Sequence, residues 1–517
     1  MLDQAMQANL RALLETLPLV PEKYAKARPV VIDGFVFFLS HLPAERVESI
    51  VAEQFSLPAE TTVDERLVKL LHACPTLHKL GQVVGHDKRL DVDLRARLQS
   101  LESLPPSIGL ADIRAVLERE IGPIPPEIEL GPHALAEGSV AIVLPFVWTP
   151  AGDAAPRRGV FKVLKPLAEE RLHEELALWP ALGEYLEERC AHYGLPSLEY
   201  RKTLDSVRRL LLNETRLDIE QAHLVKSARF YAGSPAVVIP ALLPFCTPRV
   251  TAMERIDGRK VTDPSLSPDV RRRLAETIIE SLLAKPFWST EPMAVFHADP
   301  HAGNLFAMDD GRLAILDWAL VVEFSMEQRA AVVQAIIGAV TLNKRKSLRA
   351  VASLGTVLDA RKLDAAVGDA FRIVRRGTFP GFEWLTTLIE RLAATSAMLF
   401  PEEMTLFSKA LLTLSDVISD VSGKPSIIGV LTKAGALQFV RESVRRPLAP
   451  LESRDFGSHL SNQDLVLAWA ALFFIPTRFW IGTWRDVLRS WANVRSAPAT
   501  AATATPPAPA EAALPGR

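Results

Sequence analysis

The 517-residue sequence predicts an α+β protein built from more than one folded unit. Apolar residues recur at helical spacing over roughly the first 125 positions and again beyond about 265. Between them lie short β-rich runs separated by turn residues. The length is about three times that of a usual single domain. Hydrophobic residues make up 48% and charged residues 23%, enough to bury a full core, which excludes a largely disordered or fibrous chain. The 59 basic and 61 acidic residues give a net charge of −2, so no nucleic-acid partner is expected.

In chain order, Leu10, Leu13, Leu14 and Leu17 mark a first amphipathic helix, and Val47, Ile50, Val51 and Phe55 mark a later one. Leu104-Pro105-Pro106 and Ile124-Pro125-Pro126 punctuate the end of this helical region. Residues 140–148 and 159–164 then read as two strands joined by the turn-rich connector 149–158, a β-hairpin. Strand-like runs follow at 236–239 and 249–256, and the chain beyond about 265 reads as mainly helical except around 294–321. The Ala/Pro/Thr-rich residues 496–517 cannot bury a core and are expected to be a disordered tail. Cys74, Cys190 and Cys246 are too widely spaced for a metal pair or a disulfide framework, which fits a reducing cytosol. The opening MLDQAMQANL has no basic-then-apolar pattern, so export is not expected.

The chemistry concentrates in residues 295–321, VFHADPHAGNLFAMDDGRLAILDWALV. Two β-rich runs, 304–308 and 312–316, flank Asp309-Asp310-Gly311, and Asp-Gly between apolar runs predicts a hairpin. His297-Ala298-Asp299 then sits in the loop entering the hairpin, and Asp317 follows its second strand. Asp299 and Asn304 match the Asp-to-Asn spacing of a kinase catalytic loop, H-R-D-x-x-x-x-N, and Asp317 falls where that architecture places a metal-holding aspartate. Phosphoryl transfer concentrates negative charge, so Mg²⁺ on hard oxygen donors, Asn304 and Asp317, and an aspartate addressing the γ-phosphate, Asp299, form a coherent set. A turn-capping role for Asp299 and Asn304 is the plain alternative. A zinc site from His297, Asp299 and His301 is weaker, for want of a histidine pair nearby. In GVFKVLKP, Lys162 lies on a strand as a phosphate-pairing lysine would, with Lys165 on the opposite face. Ala136, Gly138 and Ser139 are small residues that allow backbone amides to approach phosphate.

HADPHAGN at 297–304 resembles the HADPHPGN motif of the UbiB/AarF/ADCK atypical kinases, the family tied to ubiquinone biosynthesis. Further landmarks of that family occur in order over about residues 75–420. Lys79-Leu80-Gly81-Gln82 resembles its KxGQ signature, followed by LQSLESLPPS at 98–107. ALAEGSVAIV at 134–143 resembles its alanine-rich nucleotide loop, and VFKVLKP at 160–166 its lysine strand. ETRLDIEQA at 214–222 resembles E-x-D-Y-x-x-E-A, which implies that Glu220 is the helix carboxylate paired with Lys162. VTAMERIDG at 250–258, containing Glu254, looks like the hinge segment. The resemblance implies a two-lobed protein-kinase-like fold whose N-terminal helical extension presents Lys79 and Gln82 to the active site. It also implies ATP and Mg²⁺ as cofactors and nucleotide contacts at Ala136, Gly138, Ser139, Lys162, Glu254, Lys79 and Gln82. Three positions depart from the pattern: Arg216 replaces the motif aspartate, Ala319 the glycine after Asp317, and Ala302 the loop proline. Loss of that glycine removes backbone freedom.

Residues 465–484, LVLAWAALFFIPTRFWIGTW, hold an apolar stretch too short to span a bilayer, interrupted at Pro476-Thr477-Arg478 and followed by aromatic residues. That pattern suits either the membrane interface or a helix docked on its own lobe. The expected organisation is a helical extension over 1–125, an N-lobe over 126–260, a helical C-lobe over 261–450, a C-terminal apolar segment over 451–495 and the tail. The leading function is an ATP- and Mg²⁺-dependent atypical kinase or ATPase supporting isoprenoid-quinone biosynthesis. Expected partners are a lipid or quinone precursor, the anionic inner face of the cytoplasmic membrane, and a second copy or quinone-pathway proteins. Two rivals are a small-molecule phosphotransferase resembling aminoglycoside and choline kinases, to which Leu316-Asp317-Trp318 also fits, and a nucleotide-binding pseudokinase scaffold, motivated by Arg216 and Ala319.

Overall fold

The computed structural model describes residues 4–16, 20, 22–85, 98, 108–152, 155–195, 200–423 and 425–472. Two compact units emerge. The first comprises 1–286, 295–323 and 409–431, and the second 287–294, 324–408 and 432–517.

In the first unit every described element up to Ile121 is helical. α1 (Gln4–Thr16), α2 (Arg28–Ser40), α3 (Ala44–Ser56), α4 (Val63–His72) and α5 (Pro75–Gly85) pack around Leu14, Phe38, Leu39, Val47, Leu70 and Cys74. Thr62 starts α4 with a capping box, its side chain accepting from the Glu65 amide while Glu65 returns to the Thr62 amide. Phe55 departs from the expected apolar stripe and is 85% exposed. It sits about 140° around the helix from Ile50, at the edge of the face that Val47 and Ile50 bury. Leu17 lies outside the described residues, as do most of 98–107.

α6 (Leu110–Ile121) covers an antiparallel sheet of β1 (Ile128–Leu130), β2 (Ala136–Glu137), β3 (Ala141–Trp148), β4 (Arg157–Leu164) and β6 (Val250–Glu254). Its order is β1-β3-β4-β6, with β2 beside β3. The apolar faces of Ile113 and Leu117 meet Leu144, Phe146, Phe161 and Ala252. Phe146 and Phe161 stack at 4.1 Å, and Gly159, opposite Phe146, admits that ring only because it has no Cβ, which would lie within 2.4 Å of it. The hairpin expected at 140–164 is present. β1 was not expected, because a three-residue strand is too short to show periodicity. Four helices, α7 (Ala168–Ala177), α8 (Trp179–His192), α9 (Tyr200–Asn213) and α10 (Leu217–Tyr231), occupy the connection between β4 and β6.

A second sheet, β5-β10-β9-β7, joins β5 (Val237–Val238), β7 (Arg259–Lys260), β9 (Leu305–Ala307) and β10 (Leu313–Ile315). β9 and β10 form the expected antiparallel hairpin, with Gly311 at φ 86° in its turn. α11 (Pro268–Ile279) runs into a π-helical turn at Glu280–Ala284, and Tyr231 donates its hydroxyl to the Ser281 carbonyl there. β8 (Met293–His297) leads into the 297–304 loop, and β11 (Val321–Ser325) follows Asp317.

The second unit is largely helical: α12 (Met326–Val340), α13 (Lys344–Ala352), α14 (Ala360–Arg375) and α15 (Phe382–Ala394). The expected mainly helical reading holds, apart from β12 (Thr356–Val357) and β13 (Met398–Leu399), a two-residue antiparallel pair that joins the two ends of the α14–α15 segment. Gly338 permits α12 and α13 to touch, since a Cβ there would lie 2.4 Å from Ser347 Oγ. α16 (Glu402–Ser422) and α17 (Ile427–Glu442) each divide between the units, and α18 (Asn462–Leu472) follows. Buried Asp464 anchors α18 through Lys346 at 2.7 Å, Arg454 at 2.9 Å and Gln334 at 2.9 Å. Val466 and Leu467 are exposed, and 473–484 and the 496–517 tail lie outside the described residues. Among the described residues no helix is long and apolar enough to cross a membrane.

Candidate active site

Lys162 lies on β4, between β3 and β6, opposite Val143 on one side and Thr251 on the other. Its ammonium donates to both carboxylate oxygens of Glu220 at 2.8 Å and to Asp317 at 3.4 Å. Glu220 sits in the first turn of α10. Its neighbour Gln221 pins that helix to the sheet edge, donating to the Thr247 and Val250 carbonyls and to Thr251 Oγ1. Burial disfavours the Lys162 charge, but Asp317 and Glu220 outweigh it and hold the ammonium above the ordinary lysine value.

Asp317 adopts φ 51°, a left-handed conformation that a short polar side chain tolerates by bonding locally. The Ala319 amide donates to its Oδ1 at 3.2 Å. Asp317 retains 42% of its side-chain surface, so its carboxylate stays accessible to solvent. Burial alone would raise its pKa. Lys162, the Ala319 amide and Lys79 together hold it well below the usual carboxylate range. The strained residue is therefore Asp317, and Ala319 is absent from the residues at positive φ. In this conformation the family's glycine is not required at 319.

The 297–304 loop is tied down by its own histidines. His297 is buried, accepts from the Asp299 amide at Nδ1 and donates from Nε2 to the Leu316 carbonyl. That pairing fixes one neutral tautomer, consistent with burial holding its pKa below the ordinary value, and leaves neither ring nitrogen for zinc. His301 accepts from the Gly303 amide and places Nε2 3.9 Å from Asp299. Asn304 donates its NH₂ to the Asp299 carbonyl at 3.1 Å, which leaves its side-chain oxygen as the acceptor on offer. Burial pushes Asp299 up, but Lys409, His301 and Lys79 outweigh it and keep it below the usual range. Lys409 reaches it from α16, 3.8 Å from Oδ1. Among the described residues no group of three His, Cys, Asp or Glu side chains is placed to hold a metal. Asp317 and Asn304 supply one carboxylate and one amide oxygen, a donor set that suits Mg²⁺ when phosphate oxygens and water complete the shell.

Lys79 comes from α5 and pairs with Glu214 at 2.7 Å, and Ser139 donates to the other Glu214 oxygen at 3.3 Å. Burial opposes the Lys79 charge, and Glu214 more than restores it. α5 is seated by buried Glu175, which accepts from the Thr76 amide at 2.9 Å and from Arg46 at 2.6 Å. Gln82 lies on α5 three residues beyond Lys79, and its side chain is outside the described residues. Ala136 is exposed on β2, and the Gly138 amide donates to the Ala141 carbonyl at 2.8 Å instead of standing open. Glu254 accepts from the Ala241 amide at 3.1 Å, so its carboxylate serves the strand end. Lys165, expected on the other strand face, lies one residue past the end of β4 and pairs with buried Glu137 at 2.7 Å. Arg216 turns to Asp218, binding it at 2.6 and 2.8 Å.

The first unit thus brings together Lys79, Lys162, Glu220, Asp299, Asn304 and Asp317. Glu214 and Lys409 were missed in the sequence. Glu214 stood inside the quoted ETRLDIEQA segment but lacked any partner visible from spacing, and Lys409 lies in no motif.

Residues 106–351 match the ABC1 atypical kinase-like domain. Among curated relatives, Protein ACTIVITY OF BC1 COMPLEX KINASE 1, chloroplastic, of Arabidopsis thaliana is 25% identical over 352 residues, 66% of this chain and 50% of that protein. "Probable protein kinase UbiB" of Shewanella loihica is 29% identical over 239 residues, 45% of this chain and 42% of the relative. The chain spans about half the length of the curated relatives it matches. A solved structure described as the complex of Rv3197 with erythromycin, from Mycobacterium tuberculosis, is similar at TM-score 0.44 and 17% identity, covering 73% of this chain and 93% of that one. At that score the likeness carries no argument. The motifs, the α+β architecture and the matching segment agree: residues 106–351 match an ABC1 atypical kinase-like domain, and the chain is similar to the UbiB and ABC1-type kinases.

Proposed function

We propose that the first unit binds ATP with Mg²⁺ and acts as an atypical kinase or ATPase of the UbiB type, supporting isoprenoid-quinone biosynthesis or lipid homeostasis. The observation that carries this reading is the Lys162–Glu220 pair at 2.8 Å with Asp317 at 3.4 Å, beside the Asp299–Asn304 loop. A lysine held by a helix carboxylate next to a cleft aspartate is the arrangement that grips nucleotide phosphates. In this reading Lys162 binds the phosphates and Glu220 orients it. Asp317 and Asn304 hold the metal, which supplies charge neutralisation for the transferring group. Asp299 orients the nucleophile and accepts its proton at a carboxylate oxygen. Residues 134–143 and the hinge around Glu254 border the nucleotide, Lys79 faces it from the helical extension, and the family resemblance adds Gln82 to its contacts.

Residues 1–125 are proposed as that extension, 126–260 as the N-lobe, 261–450 as the C-lobe and 451–495 as a C-terminal segment reaching the membrane. The protein is proposed to lie at the cytoplasmic face of the membrane, with an anionic lipid surface and a quinone precursor as partners. The test is Mg²⁺-dependent ATP hydrolysis with and without anionic liposomes, beside Asp317→Asn. Lipid-stimulated turnover lost in the variant supports the reading. Nucleotide binding without turnover under either condition transfers support to the scaffold alternative. That alternative is favoured by the Gly138 amide, already committed to Ala141 and lost to phosphate.

A further inference from the structure

We infer that Lys409 is a further nucleotide-contacting residue, delivered from α16 to the terminal phosphate beside Asp299; this rests on the nucleotide reading of the site. In the first unit the other two lysines of the cluster are each held by a carboxylate within hydrogen-bond length. Lys162 directs its donors to Glu220 and Asp317, and Lys79 is bonded to Glu214 at 2.7 Å. Lys409 differs in geometry. Its ammonium stands 3.8 Å from Asp299 Oδ1, within electrostatic reach but beyond hydrogen-bond length, and its side chain is 51% exposed. Ala410 and Leu411 beside it are buried, so α16 is anchored while Lys409 projects at the loop.

An ammonium carries three donors, and Asp299 at this distance attracts Lys409 without using them. An anion placed against Asp299 and Asn304 would otherwise meet the Asp299 carboxylate as a like charge. His301, 3.9 Å from Asp299, already caps the Gly303 amide through its other nitrogen. Lys409 is therefore the exposed ammonium placed to help offset that repulsion on the Asp299 side, as Lys162 does on the Asp317 side. A diphosphate would leave this position empty, whereas a triphosphate would fill it.

The experiment compares binding of ADP and of a non-hydrolysable ATP analogue, each with Mg²⁺, to the full chain and to Lys409→Ala and Lys409→Arg. Loss of one charge-assisted contact predicts about tenfold weaker binding of the ATP analogue to Lys409→Ala. ADP affinity should stay unchanged, and Lys409→Arg should recover most of the loss. Equal weakening of ADP and the ATP analogue, or no weakening of either, overturns the role of Lys409 while leaving the nucleotide site standing. A wild-type chain that binds neither nucleotide refutes the site reading and the role of Lys409 together.

Discussion

Lys162→Met strands a buried carboxylate, and its cost follows from the exposure of its partners. Glu220 keeps 6% of its side-chain surface and Lys162 17%, so the pair is largely withdrawn from water. Removing one member of a buried ion pair costs about 3–5 kcal/mol, because the remaining charge is neither paired nor solvated. Asp317, with 42% of its side chain accessible, can recover some hydration when Lys162 is lost, which places the expected cost near the low end, about 3 kcal/mol. At roughly 2–4 °C per kcal/mol for a large domain, the transition of the first unit should fall by about 6 °C or more. The pH dependence has a definite sign. Burial raises the Glu220 pKa even with Lys162 present, and loss of Lys162 raises it further. A carboxyl raised in the folded state destabilises above its unfolded pKa, so the deficit is larger at pH 8 than at pH 5. Adding Glu220→Gln removes the stranded charge and should restore at least half of the lost stability. Thermal scans of the single and double variants at both pH values decide the matter. A drop below about 1 °C, or a pH-independent drop that the second substitution leaves untouched, would refute the reasoning.

Two further outcomes are expected. Asp33 is fully buried and accepts from Arg11, Arg189 and, at 3.0 Å, Tyr193, so Asp33→Asn should destabilise the N-terminal helices by about 2–3 kcal/mol near neutral pH in chemical unfolding. Burial pushes Asp33 up, but those donors hold it below the ordinary carboxylate value. Its contribution is therefore complete above about pH 4 and is lost as pH falls through the folded pKa, so variant and wild type should converge in acid. Ala319→Gly should leave nucleotide affinity unchanged in calorimetric titration, because position 319 does not use positive φ; a gain would mean that the working conformation differs from this one.

The local chemistry of the site is legible because it is written in short spacing. His297, Asp299, Asn304 and Asp317 share one hairpin and the loop that enters it, so a turn signal and a motif suffice to group them. Lys162 is legible as a strand lysine for the same reason, and the hairpin carrying it follows from alternation and turn residues. Lys79–Glu214 and Lys409–Asp299 are different, since each joins residues more than a hundred positions apart and neither leaves a trace in local pattern. Phe55 shows the same limit on a helix: periodicity assigned it to a face, and only the packing of its neighbours left it in water.

The sequence by itself determined the helical, β-rich and again helical order of the chain and the family motifs, because backbone preference and side-chain periodicity act over a few residues. Only the tertiary structure decided that Glu220 meets Lys162 at ion-pair distance, that Arg216 turns away to Asp218, that the Gly138 amide is already spent, and that the left-handed strain falls on Asp317 instead of Ala319. Those are outcomes of competition among buried polar groups for a limited set of partners, and that competition is resolved only when distant segments pack together.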